Sequence, residues 1–321
     1  MTLQNITREQ WLDIRRQSIG ASEAAAACGE SPYLSALELF ARKVGMMPDQ
    51  DLSNVEHVRW GNLLEPAIVD ETCARLRLRW LDLAEAAERI AQSDQTEIVG
   101  AVECRQLFLR SRPHPHMTAT LDGLAVDQAG ELVSIEAKNT AAWRLEDWQD
   151  GASPGHYQLQ VIHQLAVAGA VSRGVLAGLV GGNSLKIAPP IKRDDAPIAA
   201  LVDIEREFWE RVKANKPPKA DGSPSSANAL KALHPDDDGS TIELPIEMIA
   251  LHEELSQLQD EIKKADKRAD ELRVLLREAL GSATYGRLAN GQGQYSYRTQ
   301  TRPEHTVPAF KFRVLKFSKG K

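Results

Sequence analysis

The stretch Leu121-Asp122-Gly123-Leu124-Ala125-Val126, followed across Asp127-Gln128-Ala129-Gly130 by Leu132-Val133-Ser134-Ile135-Glu136-Ala137-Lys138, sets two apolar runs around a cluster of turn formers. That pattern predicts a β-hairpin. With the turn centred on Ala129, position 122 falls opposite position 136, and directly opposed residues of an antiparallel pair project from one face. Asp122 and Glu136 then stand side by side. The two-residue period of a strand brings Lys138 to the same face and turns Ala137 away. Two carboxylates held that close repel each other unless a cation neutralises them, and hard oxygen ligands select Mg²⁺ or Mn²⁺. A lysine beside such a metal can orient a water and lower its pKa for in-line attack on phosphorus. Taken alone, so short a pattern reads first as an ordinary surface hairpin with a Glu/Lys pair.

On either side of the hairpin, helices and strands alternate. Hydrophobic spacing predicts helices near Arg8 to Arg16, Ser22 to Cys28, Ala36 to Val44, Val58 to Arg79, His156 to Ala168 and Ala196 to Lys213. It predicts strands near Ile98 to Leu109, Thr120 to Val126 and Leu132 to Asn139, and a strand pair, Val175 to Val180 with Ser184 to Ile187, across Gly181-Gly182-Asn183. The implied class is mixed α/β (α+β), a short mixed sheet flanked by helices.

The C-terminal third is of a different kind. Residues 215–245 carry Pro217, Pro218, Gly222, Pro224, Pro235 and Gly239 with an acidic triplet at 236–238, and read as a linker arm between a domain over 1–214 and an extension over 246–321. Met248, Leu251, Leu255, Leu258, Ile262, Ala265, Ala269, Leu272, Leu276 and Ala279 then recur at alternating spacings of three and four, a heptad seam with Gly281 placed as its stop. Both an amphipathic helix packed on its own domain and a self-associating one fit this seam. From Gly286 onward, eight Lys or Arg face the single acid Glu304, interleaved with Tyr295, Tyr297, Phe310, Phe312 and Phe317. This tail suits phosphate contact, although a solvated β-hairpin with a loose terminus is the simpler expectation.

The composition of the 321 residues, 42% apolar and 26% charged, is that of a globular chain able to bury a core without staples. Cys28, Cys73 and Cys104 are odd in number and far apart, matching neither a disulfide framework nor a CxxC metal site, and are expected to be reduced thiols in a cytoplasmic protein. No membrane span or signal peptide is expected. The net charge of −6 argues against coating nucleic acid through bulk charge, while leaving room for a locally basic channel.

Five blocks in order now carry a resemblance: Arg15-Arg16-Gln17-Ser18-Ile19-Gly20-Ala21-Ser22-Glu23 with Gly29-Glu30-Ser31-Pro32-Tyr33 and Leu37-Glu38-Leu39-Phe40; Gly61-Asn62-Leu63-Leu64-Glu65-Pro66; His116 to Gly123; Glu136-Ala137-Lys138; and Tyr157 to Leu165. In this order over about residues 8 to 215, they resemble the YqaJ-type viral recombinase nucleases, relatives of phage lambda exonuclease with a PD-(D/E)XK, restriction-endonuclease-like core. The resemblance implies metal ligands at Glu65, Asp122 and Glu136 with the Ala137 carbonyl, Lys138 positioning or activating the attacking water, and Gln160 supporting the site from a neighbouring helix. It further implies that Arg15 and Ser22 bind the 5′-phosphate of the strand being degraded, with Arg16 as a substitute for Arg15. A guanidinium suits phosphate through bidentate contact, and Ser22 lies near a helix start that favours anions. Ile162 departs from the family, in which a second glutamine is common at that place.

Simpler readings exist beside these. Glu65 could be a solvated helix residue and Gln160 a satisfied core amide. His114, His116, His156 and His163 lack an HExxH or Cys/His context and are expected in loops or packing. No GxxxxGK(S/T) loop and no four-cysteine cluster occurs, so neither a fused ATP motor nor an iron-sulfur nuclease is indicated. The expected activity, from the resemblance, is a Mg²⁺-dependent 5′→3′ exonuclease on linear double-stranded DNA ends. It would leave 3′ tails for a single-strand annealing protein of the RecT, Erf or Red-beta type and work as a trimeric ring. An endonuclease of the same fold and an inactive DNA-binding module are the alternatives.

Overall fold

The protein is described from a computed structural model, which covers residues 3–49, 55–303 and 313–317. It divides into Met1–Pro235 and Asp236–Lys321. The first unit begins with β1 (Asn5–Ile6), α1 (Arg8–Arg16), β2 (Ile19–Gly20), a 3₁₀ turn at Ala21–Glu23, α2 (Ala24–Ala27), α3 (Ala36–Lys43) and α4 (Glu56–Leu76). It continues with β3 (Arg79–Trp80), α5 (Leu83–Ile90), β4 (Thr96–Val102), β5 (Gln106–Ser111), β6 (Met117–Leu121), β7 (Gly123–Val126) and β8 (Leu132–Thr140). After a 3₁₀ stretch at Ala142–Trp148 come α6 (Gly155–Val167), β9 (Val171–Val180), β10 (Ser184–Ile187), β11 (Ile191–Lys192), α7 (Asp195–Lys213) and α8 (Pro224–Leu233).

The hairpin has the expected register, with Gly123 paired to Ile135 and Leu124 to Ser134. Asp122 falls between β6 and β7, and these strands belong to different sheets. One sheet has the order β1-β4-β5-β6-β2 and the other β10-β9-β8-β7-β3, with β11 also on β9. The chain therefore crosses from one sheet to the other at Asp122. β8 and β9 run parallel, joined through α6, as a crossover connection requires. The architecture is mixed α/β, as the alternation of elements indicated. One core fills the space between the sheets: Leu107, Leu109, Met117 and Leu121 of one sheet and Leu124, Leu132 and Leu176 of the other pack with Ile90 of α5 and with Val161 and Leu165 of α6. α4 covers the opposite face of β8 through Val69 and Cys73 against Ala125 and Ile135.

Five details depart from the sequence reading. The single strand expected at Thr120 to Val126 is broken at Asp122, where the chain passes from β6 to β7 and so from one sheet to the other. The single strand expected at Ile98 to Leu109 is a hairpin, because Glu103 and Cys104 adopt left-handed backbone at φ 49° and 57° and reverse the chain without glycine. The helix expected to reach Arg79 stops at Leu76. Arg77 turns left-handed at φ 55°, the N–H groups of Arg77 and Leu78 bond back to Ala74 and Cys73, and Arg79–Trp80 pairs with β7. Leu83–Ile90, not singled out in the sequence, forms α5 from an Asp82 cap whose side chain accepts the Glu85 N–H. Within the segment read as a linker, Ser223 caps α8 with Pro224 at its first position, and Ala229 is buried against Leu37 and Ala41 of α3.

In the second unit, α9 (Glu247–Leu280) spans the heptad seam and ends at Gly281, φ 54°, followed by the hairpin β12 (Tyr285–Arg287) and β13 (Gln294–Ser296). α9 has no buried residue, and Leu251, Leu255, Leu258 and Ile262 of the seam are exposed. Of the tail residues, Glu304, Phe310 and Phe312 lie outside the described residues. No described helix is long and apolar enough to cross a membrane.

The seating of α6 on β9 depends on Gly174, and that of Trp148, from the 3₁₀ stretch, on Gly178 of the same strand face. A Cβ at Gly174 would lie 2.3 Å from Val161 Cγ1, and one at Gly178 would lie 2.6 Å from the Trp148 ring. Gly174→Ala is expected to destabilise the fold by about 1–3 kcal/mol through overpacking. Urea unfolding should report a lower midpoint at unchanged slope, whereas a wild-type midpoint would mean that α6 does not sit this close.

Candidate active site

Trp11 and Arg15, four residues apart, share one face of α1, which starts from a capping box between Thr7 and Gln10. β2 then pairs parallel with β6, and the turn after it presents Ser22 and Glu23. α4 contributes Glu65, the junction between the sheets Asp122, β8 Glu136, Ala137 and Lys138, and α6 Gln160. A single cleft of about 390 Å³ is lined by all eight residues expected from the sequence: Arg15, Ser22, Glu65, Asp122, Glu136, Ala137, Lys138 and Gln160. Arg15 and Ser22 touch, with Nη2 donating to Oγ at 3.0 Å. Arg16 is not in the cleft. It faces the surface and pairs with Asp13 and Asp49, so it does not substitute for Arg15.

Glu136 is 1% exposed and both of its oxygens are engaged. Oε1 accepts from Lys138 Nζ and from Gln160 Nε2 at 2.5 Å, and Oε2 accepts from Gln164 Nε2 at 2.5 Å. The second amide that Ile162 cannot supply thus comes from Gln164, one helical turn beyond Gln160. The four-residue spacing of two glutamines on α6 was the available signal for it. Asp122 accepts the Ala137 N–H on Oδ2 at 3.0 Å, while Gln106 Nε2 donates to Asp122 Oδ1 at 3.2 Å and to Glu65 Oε1 at 2.7 Å. Gln106, on β5, was not anticipated from the sequence, and no motif marks it. Lys138 Nζ also lies over the Tyr157 ring, 5.0 Å from its centroid.

Burial, and then the charges of Glu136 and Glu65, push the Asp122 carboxyl well above its ordinary range. Burial and then Glu136 raise that of Glu65. Burial alone would lower the Lys138 ammonium, but Glu136 and Asp122 outweigh it and raise its pKa. Among the described residues, no three His, Cys, Asp or Glu side chains converge into a closed cation cage as they stand. The donor chemistry nevertheless suits a divalent cation. The three carboxylates are hard oxygen ligands, and Gln106 places an N–H donor between Glu65 and Asp122 where a positive partner would relieve their repulsion. His163 belongs to packing, as expected: both it and Glu205 are fully buried, with Nδ1 2.8 Å from Glu205 Oε1 and Nε2 3.0 Å from the Thr118 carbonyl.

A carboxyl with a raised pKa keeps its proton in the folded chain where the unfolded chain has lost it. Stability is therefore lost as pH rises above the ordinary value of 4.5 for Glu65, and the loss is complete above its raised value. Glu65→Gln, which can still accept from Gln106, should raise the melting temperature in EDTA at pH 8 by about 2–4 °C and bring almost no gain at pH 4. Equal melting temperatures at pH 8 would show that Glu65 bears no repulsion.

Residues 10–171 match the YqaJ-like viral recombinase domain. The chain is 28% identical over 293 residues to the uncharacterized protein YqaJ of Bacillus subtilis (strain 168), covering 89% of this chain and 82% of that one. Among solved structures it is similar to the alkaline exonuclease LHK-Exo from Laribacter hongkongensis, at 18% identity and a TM-score of 0.48 over 65% of this chain and 94% of that one. It is similar also to LHK-Exo in complex with dAMP, at 18% identity and a TM-score of 0.47 with the same coverage. With the domain match spanning half its length and all five sequence blocks in place around one cleft, this chain belongs to the YqaJ-like viral recombinase family.

Proposed function

We propose that this chain is a Mg²⁺-dependent deoxyribonuclease that degrades linear double-stranded DNA from its ends in the 5′→3′ direction. The observation that carries this reading is the convergence of Arg15 and Ser22 on the cleft that also holds Glu65, Asp122, Glu136 and Lys138. A phosphate seat and a carboxylate-lysine centre on one surface suit a strand whose 5′ end is fixed while a phosphodiester near it is cut.

Glu65, Asp122, Glu136 and the Ala137 carbonyl would hold the metal, which when bound supplies charge neutralisation at phosphorus and a more acidic water. The remaining steps belong to the chain. Lys138, kept as an ammonium by Glu136 and Asp122, donates rather than accepts. It orients the water or a phosphoryl oxygen and offsets the negative charge that builds during attack. Gln160 and Gln164 fix the Glu136 carboxylate so that it does not turn away from the reacting phosphate. Arg15 and Ser22 set how far the strand enters. Release of the cut nucleotide leaves a new 5′-phosphate that can move into the same seat, which is compatible with repeated cleavage from one end. Assembly into a trimeric ring and transfer of the 3′ tail to an annealing protein are part of this proposal and rest on the family resemblance.

The test compares linear duplex carrying 5′-phosphate or 5′-hydroxyl ends with a covalently closed circle, in Mg²⁺ or EDTA. Mononucleotides should leave only linear DNA, only with metal, and from the 5′-labelled end first. Lys138→Ala should slow release by about 100-fold or more. Gln164→Met should slow it by about tenfold while DNA binding persists. Nicking of the circle would instead point to an endonuclease, and binding without cleavage to an inactive module.

A further inference from the structure

The guanidinium of Arg15 is held from four directions, and one neighbour is a carboxylate. Its carbon lies 4.6 Å from the centroid of the Trp11 ring, which is itself fixed by Nε1 donating to Thr120 Oγ1 at 3.0 Å. It rests over Gly20, where an added Cβ would come within 3.1 Å of Nε and 3.2 Å of Nη2. Ser22 Oγ accepts from Nη2, and Glu23 Oε1 stands 3.3 Å from the same atom. Alone, that Glu23 contact would leave the phosphate seat close to neutral.

Behind Glu23 stands Lys43, outside every motif that the sequence reading used. Its side chain is 4% exposed. Nζ donates to Glu23 Oε2 at 2.8 Å and to the Arg15 carbonyl at 2.7 Å, and Glu23 Oε2 also accepts the Gly20 N–H at 2.8 Å. The three charges sum to one positive charge, and the outermost of them, at 21% side-chain exposure, is Arg15. A buried lysine satisfied by one carboxylate and one carbonyl has no evident duty in the cleft itself, because it does not line it.

We propose that Lys43 and Glu23 are positioning residues for Arg15: Lys43 neutralises Glu23, so that Glu23 orients the guanidinium without cancelling its charge toward an incoming 5′-phosphate. The inference rests on the reading of Arg15 and Ser22 as the phosphate seat. Removing Lys43 leaves Glu23 with Arg15 as its one ion-pair partner among the described residues, and a phosphate then meets a neutral pair. Removing the Glu23 charge as well returns the single positive charge.

The readout is the preference for 5′-phosphate over 5′-hydroxyl ends, taken both as a ratio of kcat/KM values in Mg²⁺ and as a ratio of duplex affinities in EDTA, where no turnover occurs. Lys43→Met should lower both ratios about tenfold, and the double variant Lys43→Met/Glu23→Gln should recover most of each. Arg15→Ala should abolish the preference in either background. A wild-type ratio in Lys43→Met, equal slowing on both kinds of end, or a double variant that stays as low as the single one would overturn the proposal. If Lys43→Met does not fold, the double variant, which lacks the unpaired buried charge, decides by whether its ratio is near wild type. A preference that survives Arg15→Ala, or that the wild type lacks, would sink the phosphate seat itself. That pattern differs from any failure confined to Lys43.

Discussion

Glu65, Asp122 and Glu136 share one cleft that water only partly reaches, and carboxylates so placed repel each other in proportion to how well they are sheltered. Much of the surrounding structure serves to hold them there. Gln106 divides one amide between Glu65 and Asp122, the Ala137 N–H caps the other Asp122 oxygen, and Lys138, Gln160 and Gln164 together engage both oxygens of Glu136. These donors come from β5, β8 and α6, so the site is fixed only once both sheets and the crossover helix have assembled. Gly174 on β9 enters here, because it lets α6 approach the sheet closely enough for two side-chain amides to reach one carboxylate.

The hairpin was legible because its turn formers and its two apolar runs determine one register, and that register puts Asp122 opposite Glu136. The motif blocks, through the family resemblance, pointed to eight residues that the fold brings to one cleft. What stayed hidden has a common physical character. Gln106 and Lys43 act as single side chains reaching partners 16 to 41 positions away on other elements, and no local spacing announces such a partner; for Gln164 only its four-residue spacing from Gln160 does. The β4–β5 reversal and the end of α4 are built on left-handed Glu103, Cys104 and Arg77, where glycine or asparagine would have signalled the turn. The helix inside the proline-rich segment did carry a signal, Ser223-Pro224, which the surrounding prolines and glycines outweighed.

Charge is handled the same way at the two ends of the cleft. At the carboxylate end, neutral amides and one lysine hold three carboxyl groups in position, so that a single positive charge does not cancel them. At the arginine end, a carboxylate holds the positive group and a buried lysine offsets that carboxylate. Each end keeps a net sign that its partner on a nucleic acid can meet, on a chain whose total charge is −6. The local field, not the sum over the surface, is what the fold arranges.

Asp122 is the lone residue between β6 and β7, which belong to different sheets, and its carboxylate is tied to β8 by accepting the Ala137 N–H. In mechanical terms it is a pivot. A bending mode that leaves each sheet intact must still be absorbed at this residue, where it swings one carboxylate relative to Glu136. A one-residue joint between the two sheets therefore coincides with the atoms whose spacing matters most, and stiffness at that joint becomes a property on which the chemistry depends.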